Sequence, residues 1–423
     1  MMKIYNLAQS SLSSLFLILL TVTIQSCKPQ KTISERSQEI HQEVLTVDSH
    51  IDWPINQILN PEFDPTIRHD SEDLKGGQWD LVRMQEGGLD AVFMSIYTRQ
   101  KERTEAGHLQ AKQQALQMIQ LTKNLIKNNT EKIELALNPE DAYRLEKAGK
   151  QAIFMGMENG YPLGKDLKNV ELFYDRGIRY ITLTHTLNNE LGDSSTDEKQ
   201  EWNGLSPFGK QVIQEMNRLG IMIDISHVHD HTFWDVIQLT RAPIIASHSS
   251  ARAIHEHPRN LSDEMLKAIQ KNGGVVQVCI LDDYIKELEQ TPERKAAIQE
   301  LEKEWETLKS GETKPEDIQK LIAKKKAIDQ QFPKNQPTVE DVVDHIDHFV
   351  KVMGIDHVGI GSDFDGGGGV QGLKDVSEFP NLTQELLARG YTKAEISKIW
   401  GGNLMRVLAE VQKVALDLQQ TSE

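Results

Sequence analysis

The sequence predicts an α/β protein folded as a (β/α)8 barrel of the TIM type. From residue 44 onward, short apolar runs alternate with helical patterns, which is the arrangement that a parallel sheet requires. Histidines and carboxylates follow several of these runs directly, and barrels of this type carry their functional groups at the C-terminal ends of the strands. The chain of 423 residues is long enough for one such barrel, which takes ~250 residues, with insertions.

Nine strand candidates divide the chain, one more than the barrel needs, so we expect one of them to be an edge or accessory strand. Between two of them, residues 205–219 carry strong helical signals, because Ser206 is suited to cap a helix and Pro207 falls in its first turn. The strand candidates are 44–50, 90–97, 132–137, 152–158, 178–185, 221–227, 243–248, 275–281 and 357–362.

Residues 286–334 interrupt the alternation of strands and helices. The segment is strongly charged and poor in β-branched residues, and it is predicted to form two helices joined near residues 310–312. It lies between the last two predicted strands, so we expect a charged helical insertion that overhangs the barrel mouth or flanks it. The sequence leaves two roles open for it, a solvated helical hairpin without chemistry and a lid.

The first 26 residues are predicted to be a bacterial lipoprotein signal peptide. Lys3 provides a weak positive region, and the apolar stretch 12–24 is too short for a comfortable membrane span. Ser26 followed by Cys27 resembles a lipoprotein processing site, although Gln25 departs from the usual small or aliphatic residue. Cleavage would leave Cys27 as a lipidated N-terminus. The alternatives are an uncleaved anchor helix and an ordinary secretion signal.

The remaining boundaries follow from composition. Residues 27–43 are predicted to form a polar tether, 44–415 the barrel and 416–423 a tail. A lipidated Cys27 would place the protein in the bacterial cell envelope, facing the periplasm, and would exclude an intrachain disulfide with Cys279. We expect Cys279 to pack as a small buried hydrophobe. The net charge of −16 argues against a nucleic-acid-binding groove.

Candidate metal ligands occur at the first and fourth strand candidates. His50 and Asp52 are two residues apart, so their side chains point to the same side of an extended chain. Glu158 lies in a segment that contains Gly156 and Gly160, and these small residues permit close approach of the backbone. A carboxylate in that place can bridge two cations with its two oxygens. Each motif is weak alone and gains weight from its position at a strand end.

Two further histidines complete a set of ligands for two metal ions. His227 and His248 end two neighbouring predicted strands, at the same end of the barrel as the other candidates. We expect the two ions to share one carboxylate and one water. The predicted ligands are His50, Asp52 and Glu158 for one ion, and Glu158, His227 and His248 for the other.

Asp363 follows the last predicted strand and is the expected acid–base group. Two ions that share a water lower its pKa toward neutrality and polarise a carbonyl. Asp363 would take the proton from that water and later deliver it to the leaving amine. Residues 366–369 are all glycine but lack the Lys-Ser/Thr of a phosphate loop, so we expect them to turn the chain sharply beside Asp363.

Several other histidines are not assigned to the site. His229 and His231 follow His227 closely and are expected to belong to the next turn and helix. His255 and His257 lie in the loop after His248 and are expected to be solvated. A catalytic serine or cysteine context is not evident in the sequence.

The segments that contain these candidate residues resemble those of the membrane (renal) dipeptidase family. The members of this family are zinc dipeptidases with an amidohydrolase-type barrel. The similarity covers essentially residues 44–415, and several long motifs occur in the family's order, which makes it highly specific. Asn159 replaces a usual glycine, Tyr161 a frequent histidine and residues 279–281 a more polar stretch. No ligand is lost, so these departures concern substrate preference. The matching stretches are 47–54, 156–160, 174–185, 204–209, 224–227, 242–251, 258–260, 359–366 and 402–404.

The resemblance implies two Zn²⁺ per chain at the ligands above and adds residues that contact the substrate. Glu158 and Asp363 are implied as catalytic groups, with Asp363 also touching the substrate. His185 is implied to contact the substrate carbonyl or its tetrahedral oxyanion. Arg259 is implied to hold the α-carboxylate, a role that suits a planar bidentate donor. Tyr284 falls where the family has a site tyrosine.

The implied activity is zinc-dependent hydrolysis of dipeptides to free amino acids, with tolerance of D-residues at the C-terminal position. The implied partners are small dipeptides and, through the N-terminal lipid, a membrane. A homodimer is compatible with the sequence. Two alternatives stay open, a related binuclear amidohydrolase acting on another amide or a β-lactam, and a lipoprotein whose barrel is a non-catalytic binding module. The intact ligand set argues against the binding module.

Overall fold

Nine parallel strands form one sheet in the residues that this computed structural model describes, which are 31–73, 76–309, 314–333 and 335–421. Eight of them follow one another around a barrel, in the order β1-β2-β4-β5-β6-β7-β8-β9, and β3 lies off this path and pairs with β4. The predicted (β/α)8 barrel is confirmed, and the additional candidate is the accessory strand β3. The strands are β1 (Val47–Ile51), β2 (Ala91–Tyr97), β3 (Ile133–Leu135), β4 (Gln151–Glu158), β5 (Ile178–Thr182), β6 (Met222–Asp224), β7 (Ile245–Ser249), β8 (Val275–Cys279) and β9 (Val358–Gly361).

The first and last strands meet and bring the barrel close to closure. Ile51 forms a parallel bridge with Phe364, and the Asp52 N–H donates to the Phe364 carbonyl at 2.8 Å. On the same seam, the Asp363 N–H donates to the His50 carbonyl at 3.1 Å. The seam between β1 and the chain after β9 therefore contains residues that the sequence assigned to the site.

Helices alternate with the strands along the described chain. They are α1 (Ile33–Glu43), α2 (Trp53–Leu59), α3 (Leu81–Glu86), α4 (Glu105–Asn128), α5 (Pro139–Lys147), α6 (Lys168–Asp175), α7 (Pro207–Leu219), α8 (Asp230–Leu239), α9 (Asp263–Asn272), α10 (Asp282–Ile285), α11 (Pro292–Lys309), α12 (Pro315–Gln331), α13 (Val339–Met353), α14 (Phe379–Ala388), α15 (Lys393–Ser397) and α16 (Asn403–Gln420).

Helix α7 shows how local sequence sets the limits of these elements. Ser206 is its N-cap, with the hydroxyl accepting from the Gly209 N–H at 2.8 Å, as the sequence predicts. Gly220 ends the helix with a φ of 84°, a left-handed conformation that glycine adopts without steric cost. Between these caps Val212, Ile213 and Met216 are buried, so one face of the helix packs on the core.

Aromatic side chains from neighbouring strands form a buried layer within the barrel sheet. The ring of Phe93 lies 4.5 Å from that of Phe154 and 5.6 Å from that of Tyr180, measured between centroids. Leu404 and Leu408 of α16 belong to the same buried cluster. Burial of such large apolar groups stabilises the fold. The Tyr180 hydroxyl extends from this layer to the site, so the layer supports the site directly.

The two ends of the chain differ from the predicted boundaries. Helix α1 occupies much of the predicted tether 27–43, because His41 is buried and places its Nδ1 2.7 Å from Thr383 Oγ1. His41 thus anchors the helix, together with Ile40, which packs against the hydrophobic core. The predicted tail 416–423 is also largely helical, because α16 continues to Gln420.

The predicted signal peptide, residues 1–26, and the predicted lipidation site Cys27 lie outside the described residues. Within the described ranges, no helix combines the length and the apolar character that crossing a bilayer requires. The anchoring of the protein therefore stays a sequence-based prediction.

Helices α11 and α12 lie between β8 and β9, in the segment predicted as a charged insertion. Arg99, in the loop that follows β2, places its guanidinium 5.1 Å from the centroid of the Trp305 ring. Lys326 Nζ donates to the carbonyls of residues 71, 72 and 73, at 3.4, 3.0 and 2.6 Å. The insertion is thus attached to the loop at the C-terminal end of β2 and to the segment between α2 and α3.

Candidate active site

The predicted site residues meet at the C-terminal ends of the barrel strands. His50 lies near the end of β1, Glu158 is the final residue of β4 and His248 lies within β7. His227 and Asp363 lie in the loops just beyond β6 and β9. All five side chains are almost completely buried. The barrel therefore brings together groups that are far apart in the sequence.

The carboxylate of Glu158 is at the centre of this cluster. Its Oε2 lies 3.4 Å from His50 Nε2, whereas its Oε1 lies 3.1 Å from His227 Nε2 and 3.6 Å from His248 Nε2. Burial opposes the ionisation of Glu158, yet the histidines, first His50 and then His185, hold its pKa well below the usual range. The two carboxylate oxygens face different histidines, which is the arrangement expected of a bridging ligand.

A hydrogen-bond chain orients His50 so that its Nε2 faces the carboxylates. The Tyr180 hydroxyl donates to the Ser49 carbonyl at 3.1 Å, so it accepts the proton on His50 Nδ1 at 2.8 Å. The other nitrogen, Nε2, lies 3.3 Å from Asp52 Oδ2 and is available to a cation. Gly156 makes room for this contact, because a Cβ there would stand 2.0 Å from the Tyr180 ring. The close approach predicted for this glycine is confirmed.

A second hydrogen-bond chain orients His248. The Ser247 hydroxyl donates to Asp224 Oδ2 at 2.6 Å, so its oxygen accepts the Nδ1 proton of His248 at 2.8 Å. His248 Nε2 then carries a lone pair, and it lies 2.8 Å from His227 Nε2. Burial lowers the pKa of both His227 and His248 well below the usual value, so both rings are neutral. Neutral imidazoles are the form of histidine that binds metal ions.

The set of donor atoms fits divalent cations. Imidazole nitrogens and carboxylate oxygens are the ligands that zinc and similar ions take in proteins. His50 Nε2 and Asp52 Oδ1 are buried and have no hydrogen-bond partner within the described residues. Candidate ligand atoms lie within 4.8 Å of one another in three overlapping groups, which are His50–Glu158–His248, Glu158–His185–His227 and His50–Asp52–Asp363.

The charges in the site also favour bound cations. Burial first, and then the carboxylates Asp52 and Glu158, raise the pKa of Asp363 well above its ordinary value, although His50 opposes this. Burial opposes a charged His50, yet Tyr180 first, and then Asp52 and Glu158, raise its pKa well above the usual value. The carboxylates Asp52 and Glu158 contribute to both shifts, so negative charge is concentrated at this point. Divalent cations would neutralise this charge.

A glycine turn holds Asp363 against the ligands. The N–H groups of Gly366, Gly367 and Gly368 all donate to the Asp363 carbonyl, at 3.1, 3.1 and 2.7 Å. A Cβ on Gly366 would lie 2.3 Å from Asp52 Oδ2 and 2.4 Å from Asp363 Oδ1, so only glycine allows this approach. The sharp turn predicted beside Asp363 is confirmed.

Comparison with known proteins agrees with this geometry. The model of the membrane dipeptidases, peptidase family M19, matches residues 34–422 of the chain. The chain belongs to the membrane dipeptidase family. Dipeptidase tcpJ of Claviceps purpurea is similar to it, with 33% identity over 380 residues that cover 87% of this chain and 77% of that protein.

Solved structures of similar proteins share the barrel fold of this membrane dipeptidase. The probable dipeptidase PvdM from Pseudomonas aeruginosa is 33% identical, with a TM-score of 0.75, over 90% of this chain and 99% of that one. A metallo peptidase from Rhodobacter sphaeroides, 24% identical with a TM-score of 0.69 over 87% of this chain and 99% of that one, shares the fold. The protein is therefore a metallo-dipeptidase, a metal-dependent hydrolase of peptide bonds.

Backbone strain in this membrane dipeptidase is concentrated at the site. Among the described residues, the non-glycine residues with positive φ other than Asn203 all lie at or beside the candidate ligands. The strand predicted at 221–227 ends early, at Asp224, so a strained loop rather than a strand presents His227. The strained residues are Asn159 (φ 74°), His227 (68°), Asp363 (61°) and Asp365 (65°).

The positive φ of Asn159 explains how it stands where the family usually has glycine. Asparagine adopts the left-handed conformation more readily than other residues with a Cβ. Its Nδ2 donates to the Thr98 carbonyl at 3.1 Å, and its Oδ1 accepts from the Tyr161 N–H at 3.2 Å. The side chain therefore stabilises the loop that follows Glu158.

His185 lies at the rim of the site, and Tyr97 lies against it. The strand predicted at 178–185 ends at Thr182, so His185 is carried by a loop, with its Nε2 3.6 Å from Glu158 Oε1. The ring of Tyr97 is 4.8 Å from that of His185, and burial raises the pKa of Tyr97, so the hydroxyl stays protonated. Tyr97 was not predicted as a site residue, although its place at the end of a strand could have indicated it.

The positively charged side chain of Arg259 is buried beside the candidate metal ligands. Its Nη2 donates to the His248 carbonyl at 3.0 Å, and its guanidinium carbon lies 5.1 Å from the centroid of the Tyr284 ring. The side chain is buried, and its Nε has no hydrogen-bond partner within the described residues. Arg259 therefore presents unused donor capacity close to the candidate metal ligands.

His257 differs from its prediction as a solvated residue. It is half-buried, its ring lies 4.7 Å from that of Tyr284, and its Nδ1 accepts from the Arg259 N–H at 3.1 Å. Burial and the charge of Arg259 lower the pKa of His257 to about 4, so the ring is neutral. The prediction was wrong because the helix that carries Tyr284 covers this loop from a distant part of the chain.

Cys279, the last residue of β8, is a buried free thiol, as the sequence predicts. Its Sγ lies 4.0 Å from Asp363 Oδ2. Burial, with the nearby charge of Asp363, raises the pKa of Cys279, so the thiol stays protonated. Cys279 is thus a neutral neighbour of the acid–base candidate.

Proposed function

We propose that this dipeptidase uses two Zn²⁺ to hydrolyse dipeptides that have a free C-terminal carboxylate. The observation that carries the proposal is the position of Arg259, a buried guanidinium hydrogen-bonded to the carbonyl of the candidate ligand His248. Because this guanidinium lies beside the backbone of a candidate ligand, it would be placed to bind an α-carboxylate one residue beyond the scissile bond. A short substrate with a charged C-terminus would therefore bind in one orientation.

Five residues of the chain would hold the ions, His50, Asp52, Glu158, His227 and His248. When bound, such ions lower the pKa of a water toward neutrality and polarise a peptide carbonyl. Glu158 would hold both ions, since its two oxygens face different histidines. The neutral rings of His227 and His248 offer nitrogen lone pairs for this purpose.

The other polar groups of the site act on the substrate and on protons. Asp363 would accept a proton from the attacking water and return it to the leaving amine, since its carboxylate lies beside the candidate ligands His50 and Asp52. His185 at the rim would contact the substrate carbonyl and its developing oxyanion. Arg259 and Tyr284 would bind and orient the carboxylate, with Arg259 as the charged donor.

The substrate proposal predicts a specific order of rates. Ala-Ala is expected to be cleaved well, whereas Ala-Ala-amide and Ala-Ala-Ala lose ~10-fold or more in kcat/KM. The amide removes the charge that Arg259 would recognise, and an added residue would have to enter the space beside the buried Arg259 side chain. Arg259→Ala is expected to weaken turnover of Ala-Ala and to remove most of this preference, as steady-state kinetics would show.

Arg218→Ala is the control for this experiment. Arg218 lies on α7 and pairs with Glu215 through two hydrogen bonds, at 2.8 and 2.7 Å. Its loss is expected to leave the order of the three substrates unchanged. Equal rates of the wild type on all three substrates would contradict the proposed role of Arg259.

We also propose that the enzyme accepts a D-residue at the C-terminal position. Arg259 would hold the C-terminal residue of the substrate by its carboxylate. The proposed contacts do not involve the side chain of that residue, so they would not select between its L and D forms. The Rhodobacter sphaeroides metallo peptidase was solved with a phosphinate mimic of L-Ala-D-Ala, which makes this dipeptide a suitable probe. Turnover of L-Ala-D-Ala within about an order of magnitude of L-Ala-L-Ala would support the proposal.

We propose further that the protein is a lipoprotein of the bacterial cell envelope, facing the periplasm. Cys27→Ala is expected to leave the protein unprocessed or to release it from the membrane fraction, because several acyl chains are needed for stable anchoring. Fractionation and the apparent size on a gel would measure both outcomes. Cys279→Ser is the control, and it should remain processed and membrane-bound. An unchanged size and location of Cys27→Ala would reject this proposal.

A further inference from the structure

His345 on α13 is completely buried and makes two hydrogen bonds that join distant segments. Its Nδ1 accepts from the Ala251 N–H at 2.9 Å, at the start of the loop that leads to Arg259. Its Nε2 lies 2.8 Å from the Ile285 carbonyl at the end of α10, and because Nδ1 is an acceptor, Nε2 carries the proton and donates. Both ring nitrogens are therefore used, and the tautomer is fixed.

Helix α10 is a single turn and depends on such external contacts. It carries Tyr284, whose ring covers the Arg259 guanidinium. Its last two carbonyls are both held by side chains, that of Tyr284 by Asn260 Nδ2 at 2.8 Å and that of Ile285 by His345. A four-residue helix makes few hydrogen bonds of its own, so these two bonds set its position.

We propose that His345 is a positioning residue for recognition of the substrate carboxylate. It holds α10 against the Arg259 loop, so that Tyr284 keeps the guanidinium covered and correctly directed. His345 itself touches neither the metal ligands nor the substrate. The inference rests on the proposed role of Arg259 and extends it to a residue outside the site.

Removal of the bond to Ile285 is expected to weaken dipeptide binding without slowing the chemical step. In His345→Asn the amide oxygen takes the place of Nδ1 and can still accept from Ala251, but the donor to Ile285 is lost. KM for Ala-Ala should rise about fivefold or more, with kcat changed less than about twofold. The kcat/KM for Ala-Ala-amide, which lacks the carboxylate, should stay unchanged.

His345→Gln reverses the loss, since its amide nitrogen takes the place of Nε2 and can still donate to Ile285. We expect a smaller rise in KM for this variant than for His345→Asn. Asn260→Ala removes the Nδ2 bonds to the carbonyls of Tyr284 and His255 without adding a charge beside Arg259, and it leaves His345 in place. This variant should also raise KM for Ala-Ala, and it replaces His345→Asn in the test if that variant does not fold.

His348→Asn is the matched control, on the same helix. His348 is partly exposed, and its Nε2 lies 2.7 Å from Asp263 Oδ1 on α9, away from α10. This variant should leave KM, kcat and the preference for a free carboxylate at wild-type values.

Hydrogen exchange of the full-length protein tests the positioning independently of activity. Amides of residues 281–286 should exchange faster in His345→Asn than in wild type and in His348→Asn. If exchange and KM in His345→Asn match the control, the inference is overturned. Faster exchange with unchanged KM would overturn the role in binding. If the wild type does not prefer Ala-Ala over its amide, the proposed role of Arg259 fails, while the exchange result still decides whether His345 positions α10.

Discussion

Glu158→Gln is expected to reduce kcat/KM for Ala-Ala by about 10³-fold or more, since bound ions provide several kcal/mol of transition-state stabilisation. The substitution keeps the shape of the side chain but replaces one oxygen and removes the charge. Both ions should be affected, because Oε2 faces His50 and Oε1 faces His227. Metal analysis of the purified variant should find clearly fewer than the roughly two zinc ions per chain expected of the wild type.

Glu190→Gln provides a matched control for this loss. Glu190 is also a buried carboxylate, but it pairs with Arg103 at 2.8 Å and with His108 at 3.1 Å instead of the site histidines. Its replacement should affect the melting temperature more than the zinc content. Fully active wild type with a single ion, or an unchanged zinc content in Glu158→Gln, would rule out a shared carboxylate.

Asp363→Asn is expected to lower kcat by about 10²–10⁴-fold, the usual contribution of a general acid–base group. The amide cannot accept the proton, whereas the metal ligands keep their places, so zinc content and KM should change little. The pKa of Asp363 is raised by burial and by Asp52 and Glu158, so wild-type activity should fall as the pH decreases and the carboxylate becomes protonated. Bound cations would shift this fall to lower pH.

The pH profile decides whether Asp363 has this role. The remaining activity of Asp363→Asn should lack the acidic limb that the wild type shows, because the group that titrates there is absent. If the variant loses activity but keeps the same acidic limb, another group accepts the proton. If zinc is lost together with activity, Asp363 acts as a ligand instead.

Local sequence was sufficient to select most of the residues that the barrel brings together in the candidate site. The type of each ligand and its place after an apolar run are both visible without a structure, which is why His50, Glu158 and His248 could be assigned as candidates. The barrel then brings strand ends together by its own geometry. The predicted sharp turn beside Asp363 likewise follows from four consecutive glycines.

Contacts between distant segments could not be predicted in this way. The bond between Tyr180 and His50 joins residues 130 positions apart, and it depends on the packing of an aromatic layer. His227 has a positive φ and its carbonyl accepts from the Ser195 N–H at 2.8 Å, a contact with another segment, whereas sequence pattern favoured a longer strand. His257 is covered by Tyr284 of α10, and α10 is bound in turn by Asn260 and by His345 of α13.

The hydrogen bonds that join β1 to the chain after β9 make the candidate site depend on residues from both ends of the barrel. A chain that is synthesised from its N-terminus makes His50 and Asp52 early, but Asp363 arrives only with the last strand. A growing chain that ends before β9 therefore carries most of the candidate ligands without a complete site. If Asp363 has the proposed role, we expect peptide hydrolysis to begin only after the first and last strands have joined.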